Sequence, residues 1–400
     1  LKIVRITPLL DFGGVEKRIK HTVIGFKLLS YHSISVVVLG KRGKISEELQ
    51  SIGTHTIHLN QDFRIPNIIL IFKLYRLLKN IRPDVVHTSA SEANFHGLIA
   101  AKMSGVPVRI GEEIGFPNHD WKWRVIFKWV YKTATKVIAI SYAVKQRIVD
   151  LGEVDESKVL VVYNPVELGN RSTVKSEKEP VFTHCTSVRN NKVATSGNDN
   201  AQWIRKCSQK ENQIIFVTTC RLVPVKNLDT LIRVFAEMMS KNNDLETKLW
   251  IVGDGPEREK LESLVVHLRI TSRVIFWGFQ ENVTSFLVNA DAFVLPSFSE
   301  GFSISLVEAM LGGLPCIATN QGGPPEIIQE GRTGFLINPN SKIELEQKME
   351  KILFMSKEER EGIGKAAKID AERYSVENYV NRLVGIYSQL LRENRVGGEN

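Results

Sequence analysis

The sequence predicts an α/β protein made of two parallel-sheet domains. Three observations lead there. Its 400 residues exceed what one hydrophobic core ordinarily organises. Apolar, β-rich runs alternate with segments of helical period in both halves, which is how a parallel sheet with helical crossovers is written. A single polar stretch, 169–212, rich in Ser, Thr, Asn and Lys, breaks that alternation and reads as a linker with an insertion.

In the first half the strand-like runs are 2–7, 34–39, 84–87, 137–140 and 159–163. Helical segments fall at 15–29, with apolar positions at Val15, Ile19, Val23 and Phe26, and at 67–80, 93–103 and 143–151. After the linker, strands are expected at 214–219, 248–252, 274–277, 292–296 and 315–318, with helices between them. One of these begins near Leu228 and repeats through Leu231, Ile232, Phe235 and Met239. Two last helices cover about 342–355 and 376–391. The expected organisation is therefore a first domain over 1–168, the linker, a second domain over 213–375, and a polar tail, 392–400, that frays.

Composition excludes several classes. A 43% hydrophobic and 24% charged chain is that of an ordinary globular protein. No apolar run reaches the roughly 18–20 residues that cross a bilayer; the longest, near 68–72 and 34–39, read as part of a helix and as a buried strand. The strand at 2–7 stands at the start of the sequence, and no signal peptide is expected. Cys185, Cys207, Cys220 and Cys316 form no CxxC pair, so neither a zinc site nor a disulfide framework is indicated, and a reducing compartment suits them. Residues 1–165 hold 24 Lys and Arg against 14 Asp and Glu, a net of +10, which leaves −1 of the overall +9 for the remainder. The first half should meet something anionic: nucleic acid, an acidic membrane or a phosphorylated substrate. No helix-turn-helix, RRM or zinc signature supports the first of these.

Polar chemistry concentrates at the junctions where strands run into helices. Ser299-Glu300-Gly301-Phe302-Ser303-Ile304-Ser305-Leu306-Val307-Glu308 follows a strand and opens a helix, so backbone N–H groups and a helix dipole converge on a turn flanked by two carboxylates. An anion beside carboxylates suits a ligand with both phosphate and hydroxyls; the competing reading makes Ser305 and Glu308 a capping box. Arg221 and Lys226 precede a helix that Asn227 can cap, where two cations oppose the dipole unless an anion lies between them. The turn Gly253-Asp254-Gly255-Pro256-Glu257 reads as structural, with Pro256 at the first helical position. Gln321-Gly322-Gly323-Pro324-Pro325-Glu326 fits a structural and a binding role equally. In the first half, Gly13 and Gly14 open a helix after a strand without forming GxGxxG, so no dinucleotide fingerprint is present.

Together these residues resemble the retaining GT-B glycosyltransferases, and within them glycosyltransferase family 4 (group 1). Glu300 and Glu308 in E-G-F-S-I-S-L-V-E match that family's E-x7-E motif, and R-L-V-P-V-K-N-L is similar to its diphosphate-binding segment. W-I-V-G-D-G-P-E, G-G-P-P-E-I-I-Q-E-G-R-T-G-F and V-V-Y-N-P-V-E add to the resemblance, which covers the chain outside about 169–212. It implies two Rossmann-like domains whose sheets face across a cleft, the last helix completing the first domain. It also implies Arg221 and Lys226 on the donor diphosphate, Glu308 on the ribose and Glu300 on the donor sugar. Gly301, Phe302, Ser303 and Ser305 would complete the phosphate site, Gly13 and Gly14 would lie across the cleft from it, and Gly278 and Phe279 would border the base. Neither a cofactor nor a metal is implied, the nucleoside diphosphate sugar being a co-substrate.

This chain departs from the family where a second histidine often follows the one matching His87, and at Gly111-Glu112-Glu113-Ile114, which also lacks one. His87 and His96 are acceptor-side candidates set against an ordinary core role; Glu16, Glu112 and Glu113 are candidates set against solvated carboxylates. The resemblance implies glycosyl transfer to an acceptor hydroxyl through an oxocarbenium-like transition state, with the leaving phosphate stabilised electrostatically and no protein nucleophile. Polysaccharide or glycolipid biosynthesis is the expected setting, with a sugar or lipid-linked sugar as acceptor, in the cytoplasm or peripherally on the inner face of the membrane. The run Trp121-Lys122-Trp123-Arg124-Val125-Ile126-Phe127-Lys128-Trp129-Val130-Tyr131-Lys132 suits an anionic bilayer surface, or else buries its tryptophans in the domain core. A GT-B nucleotide-sugar epimerase and a non-catalytic nucleotide-sugar-binding protein are the alternative functions.

Overall fold

The computed structural model describes residues 1–11, 14–29, 32–169 and 213–396. Gly13, most of the expected linker with Cys185 and Cys207, and the last four residues lie outside the described residues. The chain divides into two units, Leu1–Val166 with Tyr374–Asn400, and Glu167–Arg373. The first break falls two residues before the expected one.

In the first unit the elements are β1 (Lys2–Thr7), α1 (Gly14–Leu28), β2 (Ser33–Val38), α2 (Lys44–Ser51), β3 (His55–His58), α3 (Ile68–Ile81), β4 (Val85–Ser89), α4 (Ser91–Met103), β5 (Val108–Glu113), α5 (Trp121–Thr133), β6 (Lys136–Ala139), α6 (Tyr142–Asp150) and β7 (Val159–Val161). The second unit contains β8 (Ile214–Thr219), α7 (Leu228–Lys241), β9 (Thr247–Val252), α8 (Arg258–His267), β10 (Val274–Gly278), α9 (Thr284–Leu287), β11 (Ala292–Leu295), α10 (Ile304–Leu311), β12 (Cys316–Thr319), β13 (Gly334–Ile337), α11 (Lys342–Phe354) and α12 (Lys357–Ala371). The final helix, α13 (Val376–Val396), returns to the first unit.

Both sheets are parallel, ordered β3-β2-β1-β4-β5-β6-β7 and β10-β9-β8-β11-β12-β13. In each, the chain order reverses beside the first strand, between β1 and β4 and between β8 and β11. Ligands of open α/β sheets bind at the carboxyl ends of strands near such a switch point. Strand periodicity sorts the core of the first unit into two layers. Ile3, Val36, Val38 and Val85 pack with Ile19, Val23, Leu49 and Leu383, under α1, α2 and α13. Val4, Ile6, Val37 and Val86 face the other way, onto Leu70, Leu74, Ala93 and Ala100 of α3 and α4. The core of the second unit joins Phe216, Leu249, Val294 and Ile317 to Leu231, Phe235 and Met349.

Helix α13 belongs with the first unit because it supplies Leu383, Ile386, Tyr387 and Leu390 to that core and stacks Tyr387 on Phe26. It does not fray at 392 as expected. Asn394 Nδ2 donates to the Pro107 carbonyl at 3.0 Å, and Gln389 Nε2 to Glu393 Oε1 at 2.9 Å, which carries the helix on to Val396. Helices α2 and α12 and strands β3, β5 and β13 are further elements that the periodicity reading did not give. Among the described residues no helix is long and apolar enough to cross a membrane.

Candidate active site

The second unit brings together Lys226 and Glu300, two residues that the sequence singled out, and carries Arg221 on the same loop as Lys226. β8 ends at Thr219, and the chain crosses Cys220–Val223 into a tight 3-10 turn, Pro224–Lys226. Asn227 then takes a left-handed conformation, φ 56°, at the start of α7. Its side chain does not cap the helix, which corrects the expectation. The Asn227 amide instead donates to the carbonyls of Pro296 and Pro339, at 3.1 and 3.0 Å. The Phe298 amide donates to the Val225 carbonyl at 2.8 Å. These bonds tie the loop after β8 to the loop after β11, and so set Lys226 against Glu300.

Lys226 Nζ lies 2.7 Å from Glu300 Oε1, and Ser297 Oγ donates to the same oxygen at 2.6 Å. Both contacts land on Oε1, and among the described residues Oε2 has no partner. The ammonium, with three N–H groups and a partly exposed side chain, likewise has donors to spare. Arg221 is exposed, and its guanidinium has no protein partner among the described residues. The Gly253 and Gly255 turn is structural in that a Cβ on either would collide with the backbone of Cys220 or Leu222, so it moulds the Arg221 loop from behind. Pro256 is not the first helical residue: α8 begins at Arg258 with Glu257 at its N-cap. Burial pushes the neighbouring Cys220 thiol up to about 11, so it stays protonated.

α10 starts beside Glu300. Ser303 is its N-cap and accepts from the Leu306 amide, so Ser305 and Glu308 do not form a capping box. The first amides of the helix, at Ile304 and Ser305, have no acceptor within it. Glu308 is buried within α10, Phe302 is buried, and Gly301 and Ser305 are half-buried. The Gly322-Gly323 turn backs the site: Gly322 bridges to Glu300, and the Gly323 amide donates to the Glu300 carbonyl at 2.8 Å. A side chain at 323 would strike the Gly301 carbonyl, so this turn needs glycine. Gly278 closes β10 with φ 66° and accepts from the Gly253 amide, and Phe279 beyond it is exposed. Reading the sequence missed Ser297 and the two bonds made by the Asn227 amide. Nothing local marks either, since both depend on how far the loop after β11 folds back.

The acceptor-side candidates of the first unit fare differently. His87 is fully buried on β4, with Nδ1 at 2.5 Å from the Tyr387 hydroxyl and in contact with Arg5, and Nε2 at 3.2 Å from Glu112 Oε1. Burial, reinforced by Arg5, pushes its ring down to about 4, so it stays neutral. His96 is also buried; its Nε2 accepts from the Asn67 amide, and its Nδ1 meets the Glu92 carbonyl. Both are fully buried core histidines, a correction to their candidacy. Glu112 and Glu113 are not solvated either. Glu112 accepts from Arg5 at 3.0 Å and pairs with Arg18 at 2.6 Å. Despite its burial these arginines hold it well below the usual carboxylate range. Glu113 accepts from the Tyr131 hydroxyl and from Asn94 Nδ2, and burial raises it to about 7. Glu16 is half-buried in the first turn of α1, its carboxyl raised by burial and by Asp11, and Gly14 opens that helix. Ser89, two residues after His87 where the family often has its second histidine, meets Glu112 in space: Ser89 Oγ donates to Glu112 Oε2 at 2.6 Å. Among the described residues no group of three or more His, Cys, Asp or Glu side chains could hold a metal ion.

Comparison with known proteins is consistent along the chain. The family model for Glycosyltransferase Family 4 matches residues 12–170, and that for Glycosyl transferases group 1 matches 199–370. N-acetyl-alpha-D-glucosaminyl L-malate synthase of Bacillus anthracis is 25% identical over 377 residues, 92% of this chain and 91% of the relative. UDP-Gal:alpha-D-GlcNAc-diphosphoundecaprenol alpha-1,3-galactosyltransferase of Escherichia coli is 28% identical over 279 residues, 68% of this chain and 66% of the relative. In fold, Anabaena Alr3699/HepE, solved in complex with UDP, superposes with a TM-score of 0.77 at 19% identity, covering 97% of this chain and all of that one. With two Rossmann-like parallel sheets of seven and six strands and both family models in sequence order, the chain belongs to the GT-B glycosyltransferases of family 4 (group 1) and is an enzyme of the glycosyl-transferring class.

Proposed function

We propose that this enzyme moves a sugar from a nucleoside diphosphate donor to an acceptor hydroxyl, with retention at the anomeric carbon, in polysaccharide or glycolipid synthesis. The observation that carries the reading is the Lys226–Glu300 pair at 2.7 Å, beside the exposed Arg221 and the first amides of α10. The donor diphosphate takes the spare donors of Lys226, the Arg221 guanidinium and the amides near Ile304 and Ser305. As the glycosidic bond to phosphate breaks, negative charge grows on the departing oxygen, and these prepositioned donors stabilise it. Glu300, with Oε1 committed, offers Oε2 to a hydroxyl of the donor sugar, and Glu308 holds the ribose. The leaving phosphate takes the acceptor proton on the same face, so no protein nucleophile is needed. The E. coli relative is named for UDP-Gal, and the Anabaena neighbour was solved with UDP, which supports a uridine donor as the first to test. The reaction runs without a resident metal or cofactor. The free Cys220 and Cys316 thiols favour a reducing, cytoplasmic setting.

The test is turnover of UDP-sugars against a panel of sugar acceptors, with the product anomer read by proton NMR. The expected product keeps the donor's anomeric configuration, and Lys226→Ala lowers kcat about 100- to 1000-fold. Full conversion of donor to free UDP and an epimerised sugar without acceptor would overturn this in favour of an epimerase.

A further inference from the structure

Helix α5 carries apolar side chains on two opposite faces. Phe127, Val130 and Tyr131 point into the first unit and are buried. Trp121, Val125 and Trp129, spaced by four, make a second stripe that faces solvent, with Trp121 70% and Trp129 71% exposed. The tryptophans are thus not core residues. A surface helix ordinarily turns a polar face to water, and exposed aromatic stripes mark binding surfaces.

The charges around the stripe identify the partner. α5 contains no acidic residue, and its four cations, Lys122, Arg124, Lys128 and Lys132, are all exposed. At 3.6 residues per turn, Arg124 and Lys128 flank the stripe on one side and Lys122 on the other. Lys122 Nζ lies 5.6 Å from the Trp121 ring centre, and Lys132 Nζ lies 5.9 Å from that of Trp129. Indole rings alternating with ammonium groups fit the headgroup level of a bilayer, where the ring sits at the acyl boundary and the cation meets phosphate. Protein interfaces also favour tryptophan, but they are depleted in lysine. The net +10 of residues 1–165 adds long-range attraction to an anionic surface.

The helix is also held rigidly. Asp120 caps its start by accepting from the amides of Lys122 and Trp123, and Lys158 Nζ donates to the Tyr131 carbonyl near its end. His119 stacks on Phe127 beneath it, ring centres 4.5 Å apart. A preformed stripe pays little ordering entropy on docking.

We propose that α5 docks the enzyme on an anionic phospholipid bilayer, laying Trp121, Val125 and Trp129 into the interfacial layer while Lys122, Arg124, Lys128 and Lys132 bind headgroup phosphates. The inference stands on the first unit alone and does not depend on the donor chemistry.

The experiment is flotation of the full chain with vesicles of phosphatidylcholine alone or mixed with phosphatidylglycerol. The chain should float with the anionic vesicles at low salt and be released near 1 M salt, where the screening length falls to about 3 Å. Replacing Lys122, Lys128 and Lys132 with Gln should weaken binding about 100-fold, roughly fivefold per lysine. Trp121→Ser with Trp129→Ser should weaken it at least about tenfold. Gln at the exposed Lys357, Lys365 and Lys368 of α12 should change nothing. All these positions are exposed, so unchanged melting temperatures will show that the variants fold. The proposal is overturned if the wild type stays behind with anionic vesicles at low salt, or if the lysine and tryptophan variants float as it does. It is equally overturned if the chain sediments as a dimer that the tryptophan variants dissolve, since the stripe then belongs to a second copy.

Discussion

Each unit sets a cation beside a glutamate, but at different points along its strands. In the first unit Arg5, His87 and Glu112 stand within β1, β4 and β5, and Arg18 reaches down from α1. All four are buried; both arginines pair with Glu112 and the neutral His87 lies against it, with Ser89, Tyr379, Tyr387 and Asn164 making further hydrogen bonds. In the second unit Arg221, Lys226 and Glu300 stand on loops beyond the carboxyl ends of β8 and β11, where one ion pair leaves the other donors and one carboxylate oxygen unspent. The residue types are nearly the same. Burial and mutual pairing make the first cluster a brace for the fold, even with Arg5 Nε and His87 Nε2 lacking a hydrogen-bond partner among the described residues, whereas accessible donors suit the second to the proposed ligand.

Stability measurements should break this symmetry most sharply. Glu112→Ala strips Arg5 and Arg18 of their common counter-ion in a dry core, and is expected to cost about 3–5 kcal/mol by urea unfolding. Glu300→Ala removes a single pair whose glutamate is buried but whose lysine is partly exposed, and should cost less, about 1–2 kcal/mol. Equal losses would mean that the two clusters do the same work.

A smaller effect lies in the pH dependence of the first unit. The folded chain holds the Glu113 proton up to about pH 7, whereas the unfolded chain releases it near 4.5. The associated stability is therefore complete below pH 4.5 and lost as pH rises to about 7, by up to about 3 kcal/mol. His87 acts in the opposite direction. Folding holds its ring neutral down to about pH 4 against an unfolded value of 6.5, so stability falls as pH drops through that range. Melting temperature followed from pH 4 to 8 should therefore lose its alkaline decline in Glu113→Gln and keep its acid decline. An unchanged alkaline arm would assign that decline to another group.

The smallest effect concerns α10. Ser303→Ala removes the cap and should cost about 1 kcal/mol, and Ser305→Ala should stay within about 0.5 kcal/mol. The reverse order would restore the capping box that the geometry sets aside.

Much of the fold was legible because apolar periodicity is a local signal. β1 and β8 fall where their runs of buried residues predict them, and α7 shows its stripe from Leu228 to Met239. β5 was not legible because it buries Glu112 and Glu113 in a strand whose polar partners come from β1, α1 and α5. α12 was hidden by a nearly all-polar sequence. It docks through Gly364, where a side chain would strike the Gly313 carbonyl. The proposed donor site was partly legible, since its residues stand next to strand ends that are themselves readable. What could not be read is long-range: Asn227 reaching Pro339, or Tyr387 reaching His87 across 300 residues of sequence. His87 matches a family histidine in sequence, and only the fold shows that it is enclosed.

In the proposed reaction the loops after β8 and β11 hold a diphosphate. Calorimetric titration of UDP into the wild type and into Arg221→Ala with Lys226→Ala tests this most directly. Losing two charge-assisted contacts of about 1.5–3 kcal/mol each should weaken binding at least about 100-fold while the melting temperature of the free protein holds. UDP binding equally well to both proteins would contradict the account.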